Sequence, residues 1–323
     1  MTSAPARFVD AVLASSLEDF VAAAQRIRTD AVRSPLLPFD SREGRTIRLK
    51  AENVQPFGSF KIRCGTNALA SLPDAALAKG VATASAGNFA QGLALAASRR
   101  SIPVTAHVPE SAAGIKLEAL EKLGVSIVRH SFAEWWSICS TRATGADDGV
   151  FIHPVSEVEV IRGNGTIGLE LAQDWPELDT VVVPFGGGGL SSGIALALRA
   201  SNRSVRIVAC EAETSTPLAS AMRAGQPVQV ERRPSFIDGI GSTSVLAEMW
   251  PLLGRLIDDV IVVSLAEATA AVRTLALRSH LVVEGAAGVA LAAALSPRCG
   301  GKNVAVILSG GNIDPARLRE ILA

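Results

Sequence analysis

The segment Thr180-Val181-Val182-Val183-Pro184-Phe185-Gly186-Gly187-Gly188-Gly189-Leu190 decides the fold prediction for this chain. Its first five residues are mainly β-branched and apolar on both faces, as in a strand buried inside a parallel sheet. Four glycines follow, and Ser191–Ala200 then has the composition of an apolar helix. A strand, a glycine loop and a helix in this order are typical of an α/β sheet that binds an anion where the strand ends.

Similar units occur on both sides of this segment, where short β-rich runs alternate with helical stretches rich in alanine and leucine. The other predicted strands are Val81–Ala84, Val104–Val108, Val125–Val128, Val150–His153, Val205–Cys210, Val260–Val263 and Val304–Leu308. This alternation predicts the α/β fold class, with parallel sheets covered by helices. Residues 78–152 form a nearly self-sufficient set, so we predict a small inserted α/β domain there and a large domain from residues 1–77 and 153–323.

The composition favours a protein that acts on small molecules. Lysine plus arginine and aspartate plus glutamate number 31 each, so no charge excess suggests nucleic acid or a membrane surface as partner. Cys64, Cys139, Cys210 and Cys299 are far apart and form no C-x-x-C pair, which argues against a zinc knuckle or a disulfide framework and for a reducing compartment. No secretion signal or bilayer-spanning run is present, so we expect a soluble, unprocessed, cytoplasmic protein.

Two loops in the first third of the chain have candidate binding chemistry. In Gly58-Ser59-Phe60-Lys61, a partly desolvated lysine has a lowered pKa and can offer a neutral amine for a Schiff base. In the loop that begins Ser85-Ala86-Gly87-Asn88, backbone N–H groups can hold a carboxylate and the Asn88 side chain can bind a ring substituent. Each loop has an ordinary alternative, a solvated surface lysine in the first and a strand-to-helix turn capped by asparagine in the second.

Two further loops follow predicted strands. The tetraglycine run 186–189 allows the main chain to wrap closely around a phosphate, with the following helix adding a favourable dipole. A flexible linker is the alternative, but linkers rarely separate a buried strand from an apolar helix. In Ser309-Gly310-Gly311-Asn312 the Ser309 hydroxyl could meet a ring nitrogen, or the segment could be a simple terminal turn.

A nicotinamide-dependent oxidoreductase is the competing interpretation from a different class of enzyme. Glu211 lies 22 residues beyond Gly189, a spacing that suits an acid binding a ribose hydroxyl. However, the loop does not satisfy G-x-G-x-x-G, because Ser191 or Ser192 occupies the third glycine position. This interpretation also leaves the other three loops unexplained.

Together and in this order, the four loops resemble those of the fold-type II pyridoxal-phosphate enzymes, specifically the threonine dehydratase and serine racemase family. The likeness runs from Thr46 to Asp314. It includes the stretches Phe151-Ile152-His153-Pro154, Val160-Ile161-Arg162-Gly163-Asn164-Gly165-Thr166-Ile167-Gly168, Asp238-Gly239 and Val283-Glu284-Gly285-Ala286. The resemblance implies a tryptophan synthase β-like fold of two open α/β domains with the cofactor in the cleft between them.

The resemblance also implies a role for each residue of the loops. Lys61 would bind pyridoxal 5'-phosphate as a Schiff base, Phe60 would lie by its ring, and Asn88 would meet the ring hydroxyl. The phosphate would be bound by Gly186, Gly187, Gly188 and Gly189. Gly239 would lie against the ring face, and Ser309 would meet the pyridine nitrogen. The substrate carboxylate would be held by Ser85, Ala86, Gly87 and Asn88. A neutral serine does not keep the ring nitrogen protonated, which favours elimination.

The implied activity is β-elimination by a lyase that converts a β-hydroxy amino acid such as threonine or serine into a 2-oxo acid and ammonia. Lys61 would be the catalytic residue, removing the Cα proton. The expected partners are a small-molecule amino acid and a second copy of the chain in a homo-oligomer, a dimer, with no nucleic acid and no membrane. A regulator that binds the cofactor without catalysis is a more distant alternative.

Several positions depart from the family pattern. Serine racemases have serine where this chain has Ala86, which makes the alternative of an amino-acid racemase less favourable. Phe89 replaces a histidine of the dehydratases and Phe57 replaces a threonine, so a bulkier substrate such as phenylserine is an alternative, unless both rings only pack behind the loop. The acidic cation ligand expected six residues after Glu211 falls at Pro217, so we predict no metal dependence. No regulatory domain is expected after Asp314, and hence no feedback by isoleucine.

Overall fold

The computed structural model describes residues 4–39, 44–112 and 114–323. The strands are β1 (Leu36–Phe39), β2 (Thr46–Lys50), β3 (Val81–Thr83), β4 (Val104–Pro109), β5 (Ser126–His130), β6 (Val150–Phe151), β7 (Thr180–Pro184), β8 (Arg206–Ala212), β9 (Asp259–Val263) and β10 (Asn303–Ile307). One sheet has the order β1-β2-β10-β7-β8-β9 and the other the order β5-β4-β3-β6. Only the β1–β2 pairing among these strands is antiparallel. The predicted α/β fold class is confirmed.

Helices cover the sheets and connect their parallel strands, as parallel pairing requires. They are α1 (Ala4–Leu13), α2 (Leu17–Ile27), α3 (Lys61–Ala70), α4 (Asp74–Leu77), α5 (Asn88–Ser98), α6 (Gly114–Glu121), α7 (Phe132–Thr141), α8 (Val158–Asp174), α9 (Gly189–Ala200), α10 (Pro217–Ala224), α11 (Trp250–Leu256), α12 (Leu265–Arg278), α13 (Gly285–Leu295) and α14 (Pro315–Leu322). In the part of the chain that the structure describes, no helix combines the length and apolar character needed to cross a bilayer.

Strand β7 lies inside the six-stranded sheet, and all five of its residues are buried. Apolar clusters pack on both faces of this sheet, one around α8 and α9 and the other around α12 and α13. The strands of the four-stranded sheet all fall between residues 81 and 151, and a third cluster packs against them. The exact division of the chain into domains at residues 77/78 and 152/153 stays a prediction.

Helices α3 and α5 cross with their backbones in direct contact. A Cβ atom at Gly92 would lie 2.7 Å from the carbonyl carbon of Lys61, and one at Gly65 would lie 2.9 Å from the backbone nitrogen of Leu93. Real Cβ atoms do not approach other atoms this closely, so the crossing depends on glycine. The contact places α5, just beyond its first turn, against the first residue of α3, which is Lys61.

Candidate active site

A cavity of about 720 Å³ lies where loops from the two sheets meet. It is lined by Phe60, Lys61, Ser85, Gly87, Asn88, Gly186, Gly187, Gly188, Gly189, Gly239 and Ser309, together with residues that the sequence had not singled out, such as Lys116, Glu284 and Asn312. The structure therefore brings together the four predicted loops. Ala86 is not among the residues lining the cavity, and its half-buried side chain packs against the apolar cluster of the four-stranded sheet.

The amine of Lys61 lies in an apolar part of the cavity wall. Its Nζ donates to the carbonyl oxygen of Pro154 at 3.3 Å. The same atom lies 4.9 Å from the ring centroid of Phe60 and 5.4 Å from that of Phe89. Burial lowers the pKa of Lys61, and the nearby Glu284 only partly opposes this shift. The lysine is therefore suited to hold a neutral, nucleophilic amine.

The tetraglycine loop has a backbone geometry that side chains would prevent. Gly188 has a φ of 90°, and a Cβ atom there would lie 2.7 Å from Cδ2 of Leu253. At Gly187 the corresponding atom would lie 2.7 Å from Cγ2 of Val155. Helix α9 begins at Gly189, and the N–H groups of a first helical turn have no partner within the helix. The loop thus forms a cradle for an anion the size of a phosphate.

Ser309 follows the last strand and lies in the same cavity wall. Its side chain is 3% exposed, and its Oγ has no hydrogen-bond partner among the described residues. The backbone of this residue is fixed, because its carbonyl oxygen accepts from the N–H of Phe60 at 3.1 Å. A buried hydroxyl without a protein partner is available to pair with a ligand or with water. The nitrogen of a pyridine ring would satisfy it.

The loop after β3 leads into α5 without a side-chain cap. Gly87 is the N-cap residue, and no side chain accepts from the first turn of the helix. The structure thus does not use Asn88 as a helix cap, which was the ordinary alternative for this loop. The free N–H groups of this turn border the cavity and suit a carboxylate.

The side chain of Asn88 belongs instead to a hydrogen-bonded network between three loops. Its Nδ2 donates to Oε2 of Glu284 at 3.0 Å, and its Oδ1 accepts from Nδ2 of Asn312 at 2.8 Å. Nδ2 of Asn312 also lies 2.8 Å from the carbonyl oxygen of Phe57. Burial raises the pKa of Glu284 to about 7, and the hydrogen bond from Asn88 opposes that shift.

The sequence pattern indicated no role for Glu284 or Asn312, although both lie in stretches that carry the family resemblance. It also missed an ion pair at the cavity wall, in which Nζ of Lys116 lies 2.6 Å from Oδ2 of Asp238. Position in the sequence gives little indication of these contacts, because α6 and the loop before Gly239 are more than 100 residues apart.

The two unusual aromatic residues lie on the same cavity wall in different environments. Phe89 is 2% exposed and packs with the apolar cluster of the four-stranded sheet. Phe57 is 38% exposed and has a φ of 63°, an uncommon backbone conformation for a large side chain. The Asn312 hydrogen bond holds the backbone of Phe57 in this turn.

Glu211 follows the pattern of a buried structural acid. Its two carboxylate oxygens accept from the backbone N–H groups of Leu218 at 2.8 Å and Ala219 at 2.9 Å, at the start of α10. Burial raises its pKa to about 7. No group of three or more His, Cys, Asp or Glu side chains suited to a metal ion is present among residues 4–39, 44–112 and 114–323. Independence from divalent metals stays a prediction.

Comparisons with known proteins agree on one family. The model of the family described as pyridoxal-phosphate dependent enzyme matches residues 25–310. The L-threonine ammonia-lyase of Thermotoga maritima is 36% identical over 314 residues, covering 95% of this chain and 78% of the relative. The serine racemase of Oryza sativa subsp. indica is 32% identical, covering 96% and 94%. The structure of maize serine racemase superposes with a TM-score of 0.88 at 33% identity, covering 95% and 96%.

Proposed function

We propose that this chain, which belongs to the family of pyridoxal-phosphate-dependent enzymes, is a lyase that converts a β-hydroxy amino acid such as threonine or serine into a 2-oxo acid and ammonia. The observation that carries this proposal is the buried amine of Lys61, which shares one cavity with the tetraglycine loop and the unpartnered Ser309 hydroxyl. A covalently held cofactor with a phosphate and a ring nitrogen needs these three features together.

The residues of the cavity fit the cofactor at each of its polar groups. When bound, pyridoxal phosphate supplies an electron sink that weakens the bonds at the Cα atom of an amino acid. Lys61 would hold it covalently, the N–H groups of residues 186–189 would bind the phosphate, and Ser309 Oγ would meet the ring nitrogen. Asn88 Nδ2 would donate to the ring oxygen.

The chain's own residues account for substrate binding and proton removal. The free N–H groups at the start of α5 hold the substrate carboxylate beside Lys61, because α3 and α5 are in backbone contact. A lysine whose pKa is lowered by burial is more readily neutral, and its Nζ can then accept the Cα proton. The rings of Phe60 and Phe89 keep water away from that amine.

Elimination is favoured over racemisation. Inverting the Cα centre needs an acid or base on the face opposite Lys61, and the methyl group of Ala86 can be neither. Some relatives are named ammonia-lyases and others serine racemases, so the names alone do not separate the two reactions. The dinucleotide interpretation loses its main support, because the Glu211 carboxylate is 1% exposed and bonded to α10 instead of being open to a ribose.

A second candidate substrate is a β-hydroxy amino acid with a bulkier apolar side chain, such as phenylserine. The Phe89 ring near Nζ of Lys61 favours it, because this part of the wall lacks the polar group of a histidine. An apolar wall favours burial of an apolar β-substituent. Threonine and serine gain less from such a surface.

The experiment has two parts. The purified protein should be yellow, and borohydride should fix the cofactor to Lys61, as located by peptide mass mapping. L-threonine, L-serine and phenylserine should then be compared for release of 2-oxo acid and ammonia. A protein that binds nicotinamide dinucleotide and no pyridoxal phosphate would refute the proposal, as would a D-isomer that accumulates faster than the 2-oxo acid.

We also infer that the protein works in the cytoplasm as a homodimer. The four cysteines are free and buried, which suits a reducing compartment. The mass of the native particle in light scattering tests the dimer, and a mass of about 33.5 kDa would indicate a monomer instead.

A further inference from the structure

The amide of Asn88 is held at both ends, and this fixes its orientation. Its Nδ2 faces Oε2 of Glu284, and its Oδ1 faces Nδ2 of Asn312. A rotation of the amide by half a turn would bring oxygen against a carboxylate oxygen and nitrogen against nitrogen. Both new contacts would lack a hydrogen bond, and the buried carboxylate of Glu284 would face an oxygen in place of its donor. Asn88 lines the cavity, and the second N–H of its Nδ2 has no partner among the described residues.

The position of the Glu284 carboxylate is fixed by tight packing. A Cβ atom at Gly310 would lie 2.8 Å from its Oε1, and one at Gly239 would lie 3.0 Å from the same atom. The side chain of Glu284 is 5% exposed, and Asn88 is its only hydrogen-bonded side-chain partner among the described residues. This carboxyl group is a buried acid that the proposed reaction has not used so far.

We propose that Glu284 is a positioning residue whose carboxylate holds the Asn88 amide with an N–H directed at an oxygen acceptor in the cavity. This inference rests on the proposed function, under which the acceptor is the ring oxygen of pyridoxal phosphate. Asn312 completes the arrangement from the other end of the amide. Glu284 acts through Asn88, so its loss weakens and misorients cofactor binding without removing the base Lys61.

The arrangement depends on pH, because the Glu284 carboxyl group is a charged acceptor for the Asn88 amide only when it is ionised. Burial raises the pKa of Glu284 to about 7, so its carboxyl group titrates near neutrality. Three charged groups act on it from neighbouring elements: Asp238 raises the pKa, whereas Lys116 and Lys61 lower it. Protonation at lower pH replaces the charged acceptor by a neutral and weaker one, which loosens the hold on the Asn88 amide and weakens its bond to the ring oxygen.

The test measures the dissociation constant and the absorption spectrum of pyridoxal phosphate on the protein between about pH 5.5 and 9. In the unmodified protein, affinity should fall about fivefold below neutral pH, as expected for the loss of one hydrogen bond. Glu284→Gln keeps the shape and an oxygen acceptor but cannot titrate, so the component near pH 7 should disappear. Glu211→Gln is the matched control, because its carboxyl is also buried with a pKa of about 7 but lies away from the cavity.

Two neighbouring substitutions keep the test decisive if Glu284→Gln does not fold. Asp238→Asn should move the transition to lower pH and Lys116→Gln to higher pH, because they remove opposite influences on Glu284. The role of Glu284 would be overturned if the pH transition in cofactor affinity persists in Glu284→Gln. It would also be overturned if neither Asp238→Asn nor Lys116→Gln moves that transition. A protein that takes up no pyridoxal phosphate at all would instead refute the proposed function.

Discussion

Lys61 and Arg63 are two residues apart on α3 and both are cationic side chains in buried surroundings, but their partners differ completely. Arg63 is 1% exposed, with Nε 2.8 Å from Oε2 of Glu52 and Nη1 2.7 Å from Oε1 of Glu170. Lys61 has a carbonyl oxygen and two aromatic rings around its amine. Burial disfavours both charges, but the two carboxylates outweigh it at Arg63 and raise the pKa, whereas at Lys61 the pKa is lowered.

Arg63 therefore carries a structural charge, which stabilises the fold, whereas Lys61 carries a chemical charge, which is available for reaction. The cluster around Arg63 also includes Lys50, whose Nζ lies 2.6 Å from Oε2 of Glu170, so every charge in it has an opposite partner. Such a cluster resists change because removing one member leaves another buried charge unpaired. Lys61 lacks that compensation, and burial therefore lowers the pKa of its amine, which makes the neutral form more accessible.

The largest expected effect follows from removing the chemical charge. Lys61→Ala should lower the rate of 2-oxo acid release by roughly 10³-fold or more, because nucleophile and base are lost together. Its unfolding free energy should change little, since the amine pairs with a carbonyl oxygen and forms no ion pair among the described residues. Lys79→Ala, at an exposed lysine paired with Asp147, is the control and should keep full activity. A large loss of stability in Lys61→Ala would contradict the comparison.

Removing the structural charge should have the opposite profile. Arg63→Leu leaves Glu52 and Glu170 without their shared cation and should reduce the unfolding free energy by about 3–5 kcal/mol. Urea denaturation followed by circular dichroism measures this change. Arg317→Leu, at the surface pair with Glu320, should cost less than about 1 kcal/mol. Equal losses of unfolding free energy in the two variants would show that burial of the Arg63 cluster adds nothing to stability.

A smaller effect is expected from making the surroundings of Lys61 more polar. Phe89→His should reduce the ratio of kcat/KM for phenylserine over threonine about tenfold, because burial of an aromatic substituent is worth on the order of 2 kcal/mol. Steady-state kinetics with both substrates gives the ratio. Phe132→His, at a 60% exposed ring on α7, should leave it unchanged. If threonine is the best substrate and Phe89→His does not alter the ranking, the ring is only a packing residue.

A pH-dependent effect on stability is expected at Glu211, a buried acid bound by backbone groups in place of a cation. Its pKa is raised by burial from 4.5 to about 7, so the folded state binds the proton more tightly than the unfolded chain. Its contribution to stability is complete below about pH 4.5 and is lost as pH rises toward 7. Unfolding free energies of the unmodified protein should therefore decrease relative to those of Glu211→Gln across this range. If the unfolding free energies of the two proteins change in parallel over this pH range, the raised pKa of Glu211 is excluded.

The sequence allowed the prediction of the α/β class and of loops that meet in one cavity, because each loop joins a buried strand to glycines or a helix. It did not reveal strands β1 and β2. Strand β1 contains Pro38, which argues against a strand. In β2 the charge of Lys50 suggests a surface position, and the sequence does not show its buried partner Glu170, which is 120 residues away in the chain. Glu284 was missed as a site residue for a similar reason, because its burial and its bond to Asn88 arise only when distant loops pack together.

The backbone contact at Gly92 sets a limit on how this molecule could be redesigned. The backbone of Lys61 packs directly on α5 just beyond its first turn, and a Cβ atom at Gly92 would lie 2.7 Å from the lysine's carbonyl carbon. Libraries aimed at new substrates can therefore vary the side chains around the turn, such as Phe89, without moving the turn itself. The distance between the Lys61 amine and this turn is set by the crossing of α3 and α5. Variants with altered specificity will keep that distance only while residue 92 remains glycine.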